Sequence, residues 1–308
     1  MLLAGSGTCY QRPAKWAGGN VASAISRLLA AAWLITLPTV AATTVAVAAD
    51  IPGPTLEPIT KAPPASSDWL VTIGGEVRAV PAWPGSPTNL YGLTGIPLLA
   101  IQKPSEAPFF FGARDSFGVP LFGLDEGKFL IGGAGQINYP RYNSQYSQLN
   151  GMGEVNWALQ LGAFAQYWAL PWLRLRAELR QGIGGETGLT GDLFADVVVP
   201  VGQWRLSAGP RFAAQTAAAI SPYFSVNATQ SAATGLPVYN ATGGFYSWGA
   251  GGQVEYFWTR QWSAHALVEY ERISGSAANS PLVTLRGSPN QLTFGLGATY
   301  SFLMHPLW

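Results

Sequence analysis

Gln291–Phe302 reads QLTFGLGATYSF, and this stretch decides the fold. Phe294, Leu296, Ala298, Tyr300 and Phe302 share one face of an extended chain. Thr293, Gly295, Gly297, Thr299 and Ser301 share the other, which is a strict period of two and hence a strand. A soluble sandwich would turn the bulky face inward. A membrane barrel reverses the sense, with apolar residues toward lipid and small or polar ones toward the lumen. One strand cannot choose between these readings; recurrence of the pattern can.

The pattern recurs upstream. Trp172–Ile183 sets Leu173, Leu175, Ala177 and Leu179 against Arg174, Arg176, Glu178 and Arg180. Trp69–Val80, Lys128–Tyr139, Glu154–Trp168, Leu189–Val199, Trp204–Gln215, Gly243–Trp258 and Gln261–Ile273 alternate likewise, while Asn89–Ile101 and Pro108–Leu124 are apolar but less regular. Connections alternate too. Leu170-Pro171, Pro200–Gly202 and Thr259-Arg260 are tight, whereas Gly184–Gly188, Thr216–Thr242 and Ser274–Pro289 are longer and rich in Gly, Ser, Ala and Asn. Short turns at one end and long loops at the other are the signature of an outer-membrane barrel. The expected fold is therefore all-β, an antiparallel up-and-down transmembrane β-barrel over residues 69–302. Antiparallel closure demands an even strand count. Twelve strands result if Pro108–Leu124 bends near Asp115 and Asp125-Glu126-Gly127 is the next turn; ten is the alternative.

Composition agrees. Charged residues make up 11% of the 308-residue chain, and aromatics 12%, where an ordinary globular domain carries about 25% charge. The 17 basic and 16 acidic residues nearly cancel, so no basic excess points to nucleic acid. Disorder is excluded by the aromatics.

The front of the chain reads as a cleaved export signal over residues 1–49. Arg12, Lys15 and Arg27 precede the uncharged run Leu28–Val47, and Ala46-Val47-Ala48 offers a small-residue cleavage site. A membrane anchor is the competing reading of that run, which Pro38 and the many Ala and Thr residues disfavour. The stretch before the run is long for a signal, which suggests a start downstream of Met1, yet no other Met precedes Met152. The single cysteine, Cys9, lies in the segment to be removed, so the mature chain would hold no disulfide and no Cys-based metal site. Asp50–Asp68, with five prolines, is expected to be an extended periplasmic linker. Residues 303–308 form a short extension in which Met304, Pro306 and Trp308 keep the parity of Phe302.

Inward parity gathers thirteen ionised side chains: Glu76, Arg78, Arg174, Arg176, Glu178, Arg180, Asp192, Asp196, Arg205, Arg211, Glu255, Glu269 and Glu271. Facing lipid at midplane, an Arg would cost about 2–4 kcal/mol. Two readings of the set stand: a pore lining that selects solutes, or a mutually neutralising network that fills a narrow barrel. His265 shares that face beside Glu269 and Glu271; a polar lumen residue is the plain reading, a metal or acid–base role the sharper one. His305 lies in the tail. No nucleophile elbow or H-E-x-x-H motif occurs, and Gly182–Gly185 and Gly249–Gly252 lack the Lys-Ser/Thr of a phosphate-binding loop. No catalytic residue, metal or cofactor is expected.

Five blocks carry a family resemblance: Leu159–Tyr167 (LQLGAFAQY), Arg176–Leu193 (RAELRQGIGGETGLTGDL), Ser221–Gly244 (SPYFSVNATQSAATGLPVYNATGG), Tyr270–Val283 (YERISGSAANSPLV) and Gly287–Phe302 (GSPNQLTFGLGATYSF). In this order they resemble the MltA-interacting protein (MipA/OmpV) family of outer-membrane proteins. Two features depart from it. Pro81–Thr88 lacks the acidic and tyrosine residues of that family's first loop, so no ligand role carries over to it. The chain also runs past Phe302. The resemblance implies an outer-membrane location, contact with outer-membrane lipid, and a non-enzymatic scaffold linking a murein hydrolase to a murein synthase in the periplasm. It names no catalytic residue. A small-solute channel is the alternative.

Overall fold

The computed structural model describes residues 69–102, 112, 115–124 and 128–304. The expected signal, the linker, the turn at 125–127 and the tail from His305 lie outside the described residues, as does most of the first arm expected within Pro108–Leu124.

Among the described residues eleven strands close a barrel in the order β1-β11-β10-β9-β8-β7-β6-β5-β4-β3-β2. They are β1 (Trp69–Pro81), β2 (Tyr91–Gln102), β3 (Phe117–Leu124), β4 (Phe129–Asn138), β5 (Ala158–Leu170), β6 (Leu173–Gly184), β7 (Leu189–Val201), β8 (Trp204–Gln215), β9 (Gly244–Phe257), β10 (Trp262–Ile273) and β11 (Asn290–Met304). Closure joins the first and last strands: β1 pairs antiparallel with β11 from Trp69↔Met304 to Ala79↔Phe294. The last strand thus runs two residues beyond Phe302, into the expected extension.

Among the described residues the count is eleven, between the ten and the twelve expected, and most of the arm expected before Asp115 lies outside them. In a ring with an odd number of strands, two neighbours must run the same way. Here they are β2 and β3, which meet at the single parallel pair Ala100↔Gly118; all other neighbours are antiparallel. The expected bend near Asp115 exists as a turn, with Asp115 N donating to Gly112 O at 3.0 Å. Its side chain is drawn into the lumen by Arg174 rather than left at a hairpin tip. Pro120, which offers no ladder donor, accompanies a register shift between Pro120 and Phe122.

Outward positions form the lipid face. Val77, Leu179, Leu193 and Leu296 are all more than half exposed, as an apolar band against lipid requires. Aromatic pairs ring both rims. Trp204–Tyr256 and Trp262–Tyr300 stand at the turn end, with centroids 4.6 and 4.9 Å apart. Tyr139–Trp157 and Trp248–Tyr270 stand at the loop end. Such girdles sit at the two interfaces, where a ring has one apolar and one wet side. The tight β7–β8 turn uses Gly202 at φ +59°, a left-handed conformation that glycine adopts without strain.

The long connections at the other end are ordered. α1 (Ala217–Phe224), α2 (Ala228–Thr234), α3 (Gly275–Ala278) and α4 (Pro281–Arg286) sit in the β8–β9 and β10–β11 connections. Their ends are written in sequence: Asn227 and Gln230 close a reciprocal capping box, Gly235 ends α2 at φ +74°, and Ser280-Pro281 starts α4. Val226, Leu236 and Leu282 bury together with Trp83, Leu149 and Met152 of two further connections. Ile220, Tyr223, Phe224 and Val283 form a second cluster with Val155. Val155 was expected on a lipid-facing strand. Instead β5 starts at Ala158, and Val155 bridges to Arg141 beneath this cap.

Candidate functional site: a charged lumen under a loop cap

β6 places Arg174, Arg176, Glu178 and Arg180 on its inward face, two residues apart. β7 opposes them in register with Arg174↔Asp196 and Glu178↔Asp192. Arg174 is fully buried. Its guanidinium donates to Asp196 Oδ2 at 2.7 and 3.1 Å, and to both oxygens of Asp115 at 2.6 and 2.8 Å. Arg176 Nε donates to Glu178 at 2.7 Å, and its guanidinium lies 3.9 Å from the centre of the Phe164 ring. Glu178 also pairs with Arg180 and accepts from Ser116 Oγ at 2.7 Å. Arg180 pairs in turn with Asp192, and Arg211 with Asp196. The result is a continuous chain of alternating charge through the lumen. Toward the turn end it gives way to the buried apolar pair Trp168–Val198.

Asp115 and Ser116 belong to this chain but lie on no strand, so parity could not find them. The one signal was a polar Asp-Ser within an apolar stretch.

The remaining charges form smaller groups. Glu76 accepts from His265 Nε2 at 2.8 Å and from Arg78. Glu76 and His265 sit on β1 and β10, with β11 between them, and Gly297 opposes both. A Cβ on Gly297 would meet the His265 ring at 2.5 Å, and one on Gly295 would meet Glu76 at 2.8 Å. The inward glycines of FGLGATYSF are therefore the space through which the pair meets. Arg205 Nε donates to Glu255 at 3.0 Å, and Glu255 accepts from Ser263 at 2.7 Å. Glu269 and Glu271 face a cavity nearer the cap and have partners of their own. Among the described residues no group of His, Cys, Asp and Glu has the makings of a metal site, and His265 is committed to Glu76.

The cavity, about 830 Å³, separates the network from the cap. Trp83, Tyr146 and Tyr223 wall it from above. Arg141 Nη1 donates to Tyr223 O at 2.7 Å, holding the carbonyl end of α1. Burial pushes Arg141 down to about 10. Burial, reinforced by the charge of Glu186, pushes Tyr223 up to about 12. Glu186 is raised because burial outweighs its hydrogen bonds from Gln160 and Asn138. Sequence reading missed the cap because its apolar residues follow no period. Two of the blocks that carry the family resemblance, Ser221–Gly244 and Tyr270–Val283, build it.

The profile of the MltA-interacting protein MipA family matches residues 73–302. A search of curated proteins returns no match. Among solved structures, an outer membrane channel of Pseudomonas putida F1 aligns over 77% of this chain and 97% of its own at 9% identity and a TM-score of 0.41. The outer membrane protein OprG of Pseudomonas aeruginosa aligns over 76% and 95% at 12% identity and a TM-score of 0.27. The N-terminal β-barrel domain of OprF, from the same organism, aligns over 57% and 98% at 13% identity and a TM-score of 0.26. With the family matched along most of the barrel, the chain is a member of the MltA-interacting protein MipA family and an outer-membrane β-barrel protein.

Proposed function

We propose that this protein is a non-enzymatic anchor: a closed outer-membrane barrel that holds a murein-remodelling enzyme at the membrane through its periplasmic side. The observation that carries the reading is the buried ion chain. Arg174 and Asp196 are 0% exposed, which leaves no water column between them. Separating such a pair costs several kcal/mol, because the stranded charges lose both water and counter-ion. A lumen of this kind suits a rigid support better than a conduit. The family's name supplies the partner class, an enzyme related to MltA. The periplasmic turns are tight, so the segment Asp50–Asp68 is the natural tether. Deleting Pro52–Pro64 should leave the barrel assembled while capture of a murein hydrolase from detergent-solubilised envelope falls. Undiminished capture by the deletion variant would remove the tether, and no capture by the intact protein would remove the anchor.

A further inference from the structure

Two ionisable side chains on the cavity wall make no ion pair among the described residues, although the charge of Arg180 acts on Glu186 through space. Arg141 is 4% exposed, and among the described residues no carboxylate lies within ion-pair distance of it. Its terminal nitrogens donate to the Tyr223 and Pro222 carbonyls, and its Nε has no acceptor. Glu186 is 2% exposed. Its Oε1 accepts from Asn138 at 2.9 Å and from Gln160, while its Oε2 accepts nothing among the described residues. Both charges act through space on the same Tyr223 hydroxyl, yet they do not bond each other. A further buried donor on this wall, Trp83 Nε1, also has no acceptor.

Buried ions are normally paired, and buried donors are normally satisfied. Opposite charges that face one cavity unpaired complement a molecule carrying both signs. A bare anion would leave Glu186 unanswered, and a neutral sugar would leave both. The volume lies within the range of small-molecule sites. We propose that the cavity binds a small zwitterion, a free amino acid or short peptide, with its carboxylate toward Arg141 and Trp83 and its ammonium toward Glu186. This site lies on the loop side of the barrel and stands independently of the anchor reading.

Calorimetric titration of the folded barrel, in a zwitterionic detergent without a sugar headgroup, tests it. The probes are alanine and dialanine, with N-acetylalanine and alaninamide as single-charge analogues. Alanine or dialanine should bind, and each analogue should bind about tenfold more weakly or worse, one lost charge contact corresponding to about a decade in affinity. Glu186→Gln keeps the shape and the amide contacts. It should lose the preference for dialanine over N-acetylalanine while keeping the gel mobility of the folded barrel. Glu186 is the titrating group within reach of the ammonium, so binding should weaken in acid as it protonates. Arg180, Asp192, Glu269 and Glu271 on the same wall already have partners. Absence of heat from both alanine and dialanine up to about 10 mM, weaker than any useful site, would overturn the proposal. So would equal affinity for dialanine and both analogues, or a Glu186→Gln variant that binds dialanine like the wild type.

Discussion

Arg174→Ala removes the guanidinium at the centre of the ion chain. Its side chain is 0% exposed, as is that of Asp196, while Asp115 is 4% exposed. No solvent discount therefore applies. After the change, among the described residues, Asp196 keeps Arg211 as its cation, and Asp115 keeps Arg176 at 3.9 Å together with the Gly112 N–H at 2.8 Å. Breaking one side of a buried pair costs about 3–5 kcal/mol, and the value should fall within that span because each acid retains one cation. Urea unfolding of the barrel in micelles, followed by the gel shift between folded and unfolded forms, measures it. Adding Asp115→Asn to Arg174→Ala should restore part of the loss, since contacting residues couple by about 0.5–3 kcal/mol. Arg205→Ala, whose side chain is 16% exposed, should cost less. An Arg174→Ala variant within about 0.5 kcal/mol of the wild type, the level of an ordinary surface change, would refute the idea of a dry, filled lumen.

Gly297→Val should destabilise the barrel by about 1–3 kcal/mol through overpacking, because its Cβ has no room beside His265; the same unfolding assay reads it, and a neutral result would contradict the β11 geometry. Ser280→Ala removes the cap of α4 and a 2.6 Å bond to Phe224 O, so hydrogen exchange in residues 217–224 should report about 1–2 kcal/mol less protection while the strands stay protected. Glu186 has a folded pKa above its ordinary value of 4.5, so its contribution is complete in acid and lost as pH rises through the folded value; protection of residues 217–224 should fall from pH 4 toward pH 8, and Glu186→Gln should flatten the profile. Protection that rises with pH would reverse the assigned cause.

Period-two parity made the wall of the barrel legible, because every strand has one lipid face and one lumen face and each charge must choose between them. Trp172–Ile183 and Gln291–Phe302 could be placed nearly to the residue for that reason. Parity has no hold off the ladder. Asp115 and Ser116 enter the lumen from a turn, and their partners Arg174 and Glu178 come from a strand some sixty residues later. The cap stayed hidden for a related reason: Val155 buries with Ile220, and Trp83 and Leu149 bury with Val226 and Leu282, across four connections in all, and no local window shows that. Its short helices were marked all the same, by Asn227…Gln230, Gly235 and Ser280-Pro281. The exact strand number was the least legible part: the count among the described residues is eleven, and around β3 Pro120 accompanies a register shift while Asp115 pairs inward with Arg174.

The central claim is a closed lumen, and conductance in planar lipid bilayers tests it most directly. The wild-type barrel should insert and pass no steady current. Replacing Arg174, Arg176 and Arg180 together with Ala should either unfold it or, where water enters, open a path that prefers cations past Asp115, Glu178, Asp192 and Asp196. A wild-type protein that conducts steadily, and a triple variant that keeps the wild-type melting temperature because solvent already screens the pairs, would contradict the account.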